Sequence, residues 1–107
     1  MVRNAFLMKL KPGYGAEYRK RHDEIWPELS QLLLKSGIVE YSIYLDEQTL
    51  TLFAVQTLNP NNSVDFLHAC QIMQQWWDHM ADIMETHHDN SPVTQPLNEV
   101  FHLKKSL

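Results

Sequence analysis

The chain contains few of the residues on which several common kinds of site depend. Its 107 residues include one cysteine, Cys70, which excludes an intramolecular disulfide and is typical of a cytoplasmic protein. Only three glycines are present, and none of them forms a glycine-rich phosphate-binding motif. The six histidines are scattered, without an HExxH or CxxC pattern, so the sequence predicts neither a metal nor another cofactor.

Long apolar runs and an excess of positive charge are also missing. No run approaches the ~20 apolar residues that cross a bilayer, and the N-terminal stretch is too short and too charged for a signal peptide. The formal net charge of −4 argues against a nucleic-acid partner, which would require a basic surface. Hydrophobic residues make up 44% of the chain, which predicts one folded domain over residues 1–107.

Apolar residues alternate in some segments and recur at helical spacing in others. We predict strands at residues 2–10, 38–46, 49–57 and 98–103, long helices at 14–36 and 71–86, a short helix at 64–70 and a tail, "KKSL". Pro27 either kinks the first helix or starts a second one, and Gly37 ends it. The β-α-β-β-α-β order indicates a ferredoxin-like α+β fold, with an antiparallel sheet and the helices on one face.

The third predicted strand indicates a partner subunit. Its centre, "LFAV", is apolar on both faces, and such a strand is usually covered on both. The helices of so small a chain cover one face of the sheet. We therefore expect a homodimer that forms through the open sheet face.

Two tyrosines and a histidine are the first candidates for a site. Tyr18 and His22 lie four residues apart, on the apolar face of the first helix. Histidine exchanges protons near neutral pH, although a buried structural histidine is the more common case for such spacing. Tyr41 is predicted to share a sheet face with Val39 and Ile43. We assign this face to the helix side of the sheet, where the Tyr41 hydroxyl could approach His22. On this pattern alone, a packing aromatic is the simpler interpretation.

The adjacent pair Trp76 and Trp77 is the second candidate. Neighbouring side chains point about 100° apart on a helix, so one indole can pack in the core while the other borders a cavity. An indole that faces a cavity commonly supports the C–H face of a sugar, and its N–H can donate to a hydroxyl. Plain core packing of both rings remains the simpler interpretation of the pair by itself.

Four segments together resemble the L-rhamnose mutarotase family: "YRKRHDEIWPEL", "YSIYLD", "QQWWDHMADIM" and "DNSPVTQPLNEVFHL". The resemblance runs over essentially the whole chain, and departs from the family in the loop "TLNPNNSVDFLHAC" and in the tail. It implies a dimeric ferredoxin-like α+β barrel that interconverts the α and β anomers of L-rhamnose without a cofactor. The residue roles that it implies are proton donor for His22 and substrate contact for Tyr18, Tyr41, Trp76 and Trp77.

Mutarotation requires a proton for the ring oxygen and removal of one from the anomeric hydroxyl. We expect His22 to protonate the ring oxygen, while the base is a tyrosine, a carboxylate or a water. Two other functions stay open on the residues alone. One is a cofactor-free monooxygenase on the same fold, and the other is a module that binds a sugar without catalysis.

Overall fold

The computed structural model describes residues 1–105, so the last two residues of the predicted tail lie outside the described range. Its elements are β1 (Val2–Lys9), α1 (Gly15–Asp23), α2 (Pro27–Lys35), β2 (Ile38–Asp46), β3 (Thr51–Leu58), a 3-10 segment (Val64–Ala69), α3 (Gln71–Met80) and β4 (Gln95–Pro96). The four strands form an antiparallel sheet in the order β2-β3-β1-β4. The predicted α+β class is therefore confirmed. No helix within residues 1–105 is long and apolar enough to cross a membrane.

One face of the sheet carries the core. Three rows of paired residues run across it: Asn4–Gln56–Tyr41, Phe6–Ala54–Ile43 and Met8–Leu52–Leu45. The second and third of these rows pack against Tyr18 of α1, Leu29 of α2 and Trp76 of α3 in one buried cluster. Since the strands alternate, the residues between these rows point to the other face, which the helices leave uncovered.

The helix predicted at residues 14–36 is two helices. Glu24 and Ile25 end α1 with backbone bonds to Lys20 and His22, and Pro27 then occupies the first turn of α2. Proline suits that position because its missing N–H is unpaired in any first helical turn. Of the two effects predicted for Pro27, the start of a second helix is therefore confirmed and the kink of a single helix is wrong.

Gly37 ends α2 as predicted. Its φ of 105° is favourable only for glycine, and its amide donates to the Leu34 carbonyl. A Cβ there would lie 2.8 Å from the Asn62 backbone, so the close approach of that loop also requires glycine.

The helix predicted at residues 71–86 ends earlier, at Met80. The Ile83 carbonyl accepts from Lys11, and Met84 bridges to Leu10, so these backbone groups pair with the chain that follows β1. Ile83 and Met84 are buried, as their spacing predicted, but Ile83 lies in a turn and Met84 in an isolated β-bridge. Apolar spacing alone did not reveal this competing set of backbone hydrogen bonds.

The strand predicted at residues 98–103 is wrong. Pairing with β1 occurs earlier, at Gln95–Pro96, and continues only through the Leu97 amide, which donates to Ala5. Val100 and Phe101 are 95% and 77% exposed, so their apolar pattern is not satisfied within one chain.

A β-bulge changes the start of β2. The register shifts between Ile38 and Glu40, so Ile38 is buried while Val39 is 47% exposed. The prediction that Val39 shares a face with Tyr41 is therefore wrong, although Tyr41 and Ile43 do face the helices as expected.

Candidate active site

A cavity of about 1370 Å³ lies between the covered face of the sheet and the helices. All five predicted site residues line it: Tyr18, His22, Tyr41, Trp76 and Trp77. They come from α1, β2 and α3, so the fold brings together side chains that are far apart in the sequence. Most of the lining is apolar, and a few polar groups converge on it, as in small-molecule sites generally.

His22 presents one free ring nitrogen to this cavity. Its Nδ1 lies 3.0 Å from the Tyr18 carbonyl oxygen, and since a carbonyl only accepts, Nδ1 carries the proton and donates it. Nε2 has no hydrogen-bond partner among residues 1–105. Burial lowers the pKa of His22, while the bond to Tyr18 and the nearby Asp23 charge oppose that change. The ring is therefore neutral at neutral pH, and Nε2 offers a lone pair.

The two tyrosines are hydrogen-bond donors rather than bases at neutral pH. Burial raises the pKa of Tyr18 well above its usual range, and the nearby Tyr41 raises it further. Burial also raises the pKa of the Tyr41 hydroxyl to about 12, although the residue as a whole is 37% exposed, and a hydrogen bond with Gln56 opposes that rise. No hydrogen bond or ring pair within residues 1–105 joins Tyr41 directly to His22.

The two indoles both border the cavity. Trp76 is buried, and His22 meets it edge to face with ring centroids 5.4 Å apart. Trp77 is half-buried and lines the cavity beside it. The expected division, in which one ring packs and the other borders the cavity, is therefore too simple. Trp76 does both, because the cavity reaches down to the core.

Sequence reasoning missed two aromatic neighbours. Trp26 packs edge to face on Trp76, with ring centroids 5.1 Å apart. The His79 ring packs against the indoles of Trp26 and Trp76. Trp26 follows His22 by one helical turn, a spacing that signals a shared face. Trp26 and His79 therefore both pack on the Trp76 indole.

A polar row at one end of the sheet was also missed. Asn4 donates to the Gln56 Oε1 at 3.0 Å, and Gln56 pairs across the strands with Tyr41. Gln56 is buried and lines the cavity. A glutamine on the covered side of an otherwise apolar strand was the available signal, since buried amides need hydrogen-bond partners.

The segment "DNSP" closes one side of the cavity. The Asp78 carboxylate accepts from Asn90 and from Gln74, both at 3.0 Å, and Gln74 also donates to the Asp89 carbonyl at 2.7 Å. Asn90 has a φ of 68°, a left-handed conformation that asparagine tolerates better than most residues. These bonds tie the loop to α3 next to the tryptophan pair, so Asn90 and Ser91 form part of the lining.

Residues 1–105 contain no group of three or more His, Cys, Asp or Glu side chains that could hold a metal ion. The carboxylates that line the cavity are Asp23 and Glu47, both exposed. Neither forms a hydrogen bond with the His22 ring, although the charge of Asp23 opposes the lowering of the His22 pKa. The lining also includes two histidines, His22 and His68, three tyrosines, Tyr18, Tyr41 and Tyr44, and Arg19, together with amides and indoles.

The model of the L-rhamnose mutarotase family matches residues 3–103. The chain belongs to the L-rhamnose mutarotase family. Curated proteins named L-rhamnose mutarotase include one from Brucella anthropi, 57% identical over 94% of this chain and 95% of that protein. Another, from Flavobacterium johnsoniae, is 56% identical over 95% of each chain.

A solved structure agrees with this membership. The crystal structure of L-rhamnose mutarotase from Formosa agariphila superposes with a TM-score of 0.90. It shares 49% sequence identity, and the match covers 97% of this chain and 100% of that one. The resemblance of the four sequence segments to the mutarotase family is therefore confirmed over almost the whole chain.

Proposed function

We propose that this protein is an L-rhamnose mutarotase, an isomerase that interconverts the α and β anomers of L-rhamnopyranose by opening and closing the ring. The observation that carries the proposal is the hydrogen bonding of the two ring nitrogens of His22. One of its nitrogens is fixed to the Tyr18 carbonyl, and the other is free at an aromatic-lined cavity. Family membership identifies the sugar, since the relatives at more than 50% identity carry this name.

The lining suits a neutral deoxy sugar. The Trp76 and Trp77 indoles present apolar surface for the C–H face and the methyl group of the sugar. Tyr18 and Tyr41 keep their hydroxyl protons at neutral pH, so they donate hydrogen bonds to sugar oxygens. Gln56 adds an amide beside Tyr41 that can bind another hydroxyl.

The proton steps follow from the neutral histidine. Nε2 of His22 accepts the proton of the anomeric hydroxyl. The oxygen of that hydroxyl then forms a double bond to C1, and the bond from C1 to the ring oxygen breaks. The same nitrogen then donates that proton to the ring oxygen. The products are the open-chain aldehyde and a neutral histidine, so protons balance within one group.

Rotation about the C1–C2 bond turns the carbonyl, and the reverse steps close the ring as the other anomer. His22 is thus the expected proton donor and also supplies the base that the sequence left open. The oxygens it serves share one carbon atom, so a single nitrogen can reach both. Tyrosine as the base is disfavoured, because burial raises the pKa of both hydroxyls.

Saturation-transfer NMR tests the proposal directly. We expect the protein to accelerate exchange between the anomeric proton signals of L-rhamnose, and to act less on other deoxy sugars. Binding of rhamnose without faster exchange would instead identify a sugar-binding module. Oxygen uptake with a phenolic substrate, and no effect on rhamnose, would identify a monooxygenase on this fold.

The proposal includes a ferredoxin-like arrangement of a single domain, residues 1–107, in a homodimer that forms an α+β barrel. The strand order β2-β3-β1-β4 with antiparallel neighbours supports the fold. Exposed apolar residues on the open face, Tyr44, Phe53 and Val55, support the dimer. A cytoplasmic location rests on the single cysteine, Cys70.

A further inference from the structure

The side chain next to His22 ties two helices together. Arg21 donates from Nε to the Glu17 carboxylate at 2.7 Å, and from Nη1 to the His79 carbonyl oxygen at 2.8 Å. Its two terminal nitrogens also meet the two Asp82 carboxylate oxygens at 2.8 and 3.2 Å. Only 15% of the Arg21 side chain is exposed. All three guanidinium nitrogens of Arg21 therefore donate hydrogen bonds within the protein. We name the set formed by Arg21, Glu17, the His79 carbonyl and Asp82 the Arg21 clamp.

The clamp attaches a helix that has little other anchorage. α1 spans nine residues, and Tyr18 is its one buried side chain. So short a helix is not stable by itself, and its position depends on tertiary contacts. The clamp joins its last turn to the end of α3, where the His79 carbonyl is one of the acceptors that a helix terminus leaves unpaired.

The two elements that the clamp joins carry facing parts of the site. His22 follows Arg21 directly on α1, and its ring meets the Trp76 indole of α3 with centroids 5.4 Å apart. His79, whose carbonyl accepts from Arg21, packs its ring on Trp76 at 5.5 Å. A change at the clamp would therefore move the histidine relative to the surface that supports the sugar.

We propose that Arg21 is a positioning residue for mutarotation, because it fixes the end of α1 to the end of α3 and so sets the place of the His22 ring against Trp76. This role rests on the function proposed above. Reacting atoms must be held close to their productive geometry, and a displacement of about 1 Å can cost about a hundredfold in rate. The planar, bidentate fork of arginine supplies that geometry, and a lysine cannot reproduce it.

A positioning role differs from a purely stabilising one in what it predicts. Asp82 is 63% exposed, and exposed ion pairs contribute little to folding stability. We therefore expect loss of the Asp82 carboxylate to affect the rate of the chemical step much more than the melting temperature.

The test compares three variants with the unaltered protein by saturation-transfer NMR over a range of L-rhamnose concentrations. Arg21→Gln should lower kcat about 10- to 100-fold with little change in KM. Arg21→Lys should stay impaired despite its charge, and Asp82→Asn should lose kcat in the same direction by less. Lys20→Gln is the matched control, since it removes one charge from an exposed neighbour on the same helix and should leave kcat unchanged.

Each rate is divided by the concentration of folded protein, which circular dichroism measures. If Arg21→Gln does not fold, the comparison of Asp82→Asn with the unaltered protein provides the test. Unchanged kcat in these variants, an effect confined to KM, or a full rate in Arg21→Lys would overturn the positioning role alone. Failure of the unaltered protein to accelerate exchange would overturn the proposed function and, with it, this role.

Discussion

The two faces of the sheet are built from the same strands but differ in what covers them. On the helix side, Leu52 and Ala54 are 1% and 0% exposed, and Leu52 lines the cavity. On the other side, Phe53 and Val55 alternate with these residues and are 39% and 46% exposed. Both faces are apolar, so composition alone does not explain why one carries the site.

The two faces differ in the polar groups that they carry and in whether helices enclose them. The helix side ends in the row Asn4–Gln56–Tyr41 and is enclosed by helices that bring His22 to it. The open side pairs Phe53 with Tyr44 and Leu7 in a surface without an enclosing layer. An apolar face with convergent polar groups is suited to a small molecule, whereas a flat apolar face is suited to another protein surface.

Loss of the histidine should have the largest effect on the helix side. We expect His22→Ala to reduce anomer exchange by about 10²- to 10⁴-fold, since it removes the group that both accepts and donates the proton. Saturation-transfer NMR on L-rhamnose measures this rate. His88→Ala, in an exposed loop, is the control and should keep the normal rate. A normal rate in His22→Ala would remove this residue from the mechanism.

Truncations on the two faces should separate core from interface. Leu52→Ala should lower the free energy of unfolding by about 2–5 kcal/mol at any protein concentration, because Leu52 is in the core. Val55→Ala should cost less, and its cost should vary with protein concentration, because subunit association contributes to apparent stability. Urea unfolding at several concentrations measures both. Losses independent of concentration in both variants would contradict an interface at Val55.

A charge on the open face should break the proposed dimer. Val55→Lys should weaken association by about 2 kcal/mol or more, a factor of about 30 in the dissociation constant, because the ammonium would be desolvated. Light scattering should then report the 12.6 kDa monomer instead of a dimer. Glu28→Lys, on an exposed position of α2, should remain dimeric. A stable monomer before any substitution would refute the dimer itself.

Removal of one hydroxyl from the polar row should have a smaller effect. Tyr41→Phe keeps the ring but loses a donor, so we expect it to weaken rhamnose binding by about 0.5–1.5 kcal/mol. The KM from exchange rates at several sugar concentrations measures the change. Tyr14→Phe, which removes the hydroxyl of an exposed tyrosine outside the cavity lining, should leave KM unchanged. Equal effects at both positions would show that this row does not bind the sugar.

The smallest expected effect is a displaced pH profile. Burial lowers the pKa of His22 from its usual value of about 6.5, so the neutral ring should persist as the pH falls through that value. The kcat/KM should therefore decline only below about pH 6.5, after subtraction of the uncatalysed rate. Stability linked to this group is complete above that pH and declines below it, because the unfolded chain takes up the proton first. A decline that begins above pH 6.5 would contradict a buried, neutral His22.

Much of the fold was predictable because it depends on local rules. Alternating residues identified the first three strands, Pro27 marked a helix start, and Gly37 marked a helix end. The errors occur where distant backbone groups compete. The end of α3 was misplaced because residues 83–85 pair with the chain near β1, and the last strand was misplaced because β1 pairs with Gln95–Pro96.

The site was predictable in part for a similar reason. The helical spacing of Tyr18 and His22 placed them on one face, and the adjacent tryptophans were conspicuous. The contacts made by Trp26 and Gln56 depend on which helix lies over which strand, so spacing along one element could not reveal them.

The sequence by itself determined the class of fold, because apolar periodicity is a property of local segments, and its resemblance to the mutarotase family indicated the five candidate residues. Tertiary structure decided the chemistry of His22, since its tautomer depends on the Tyr18 carbonyl and its lowered pKa depends on burial by the packed elements. It also decided how Arg21 joins α1 to α3, because those partners meet only when the helices pack on the sheet.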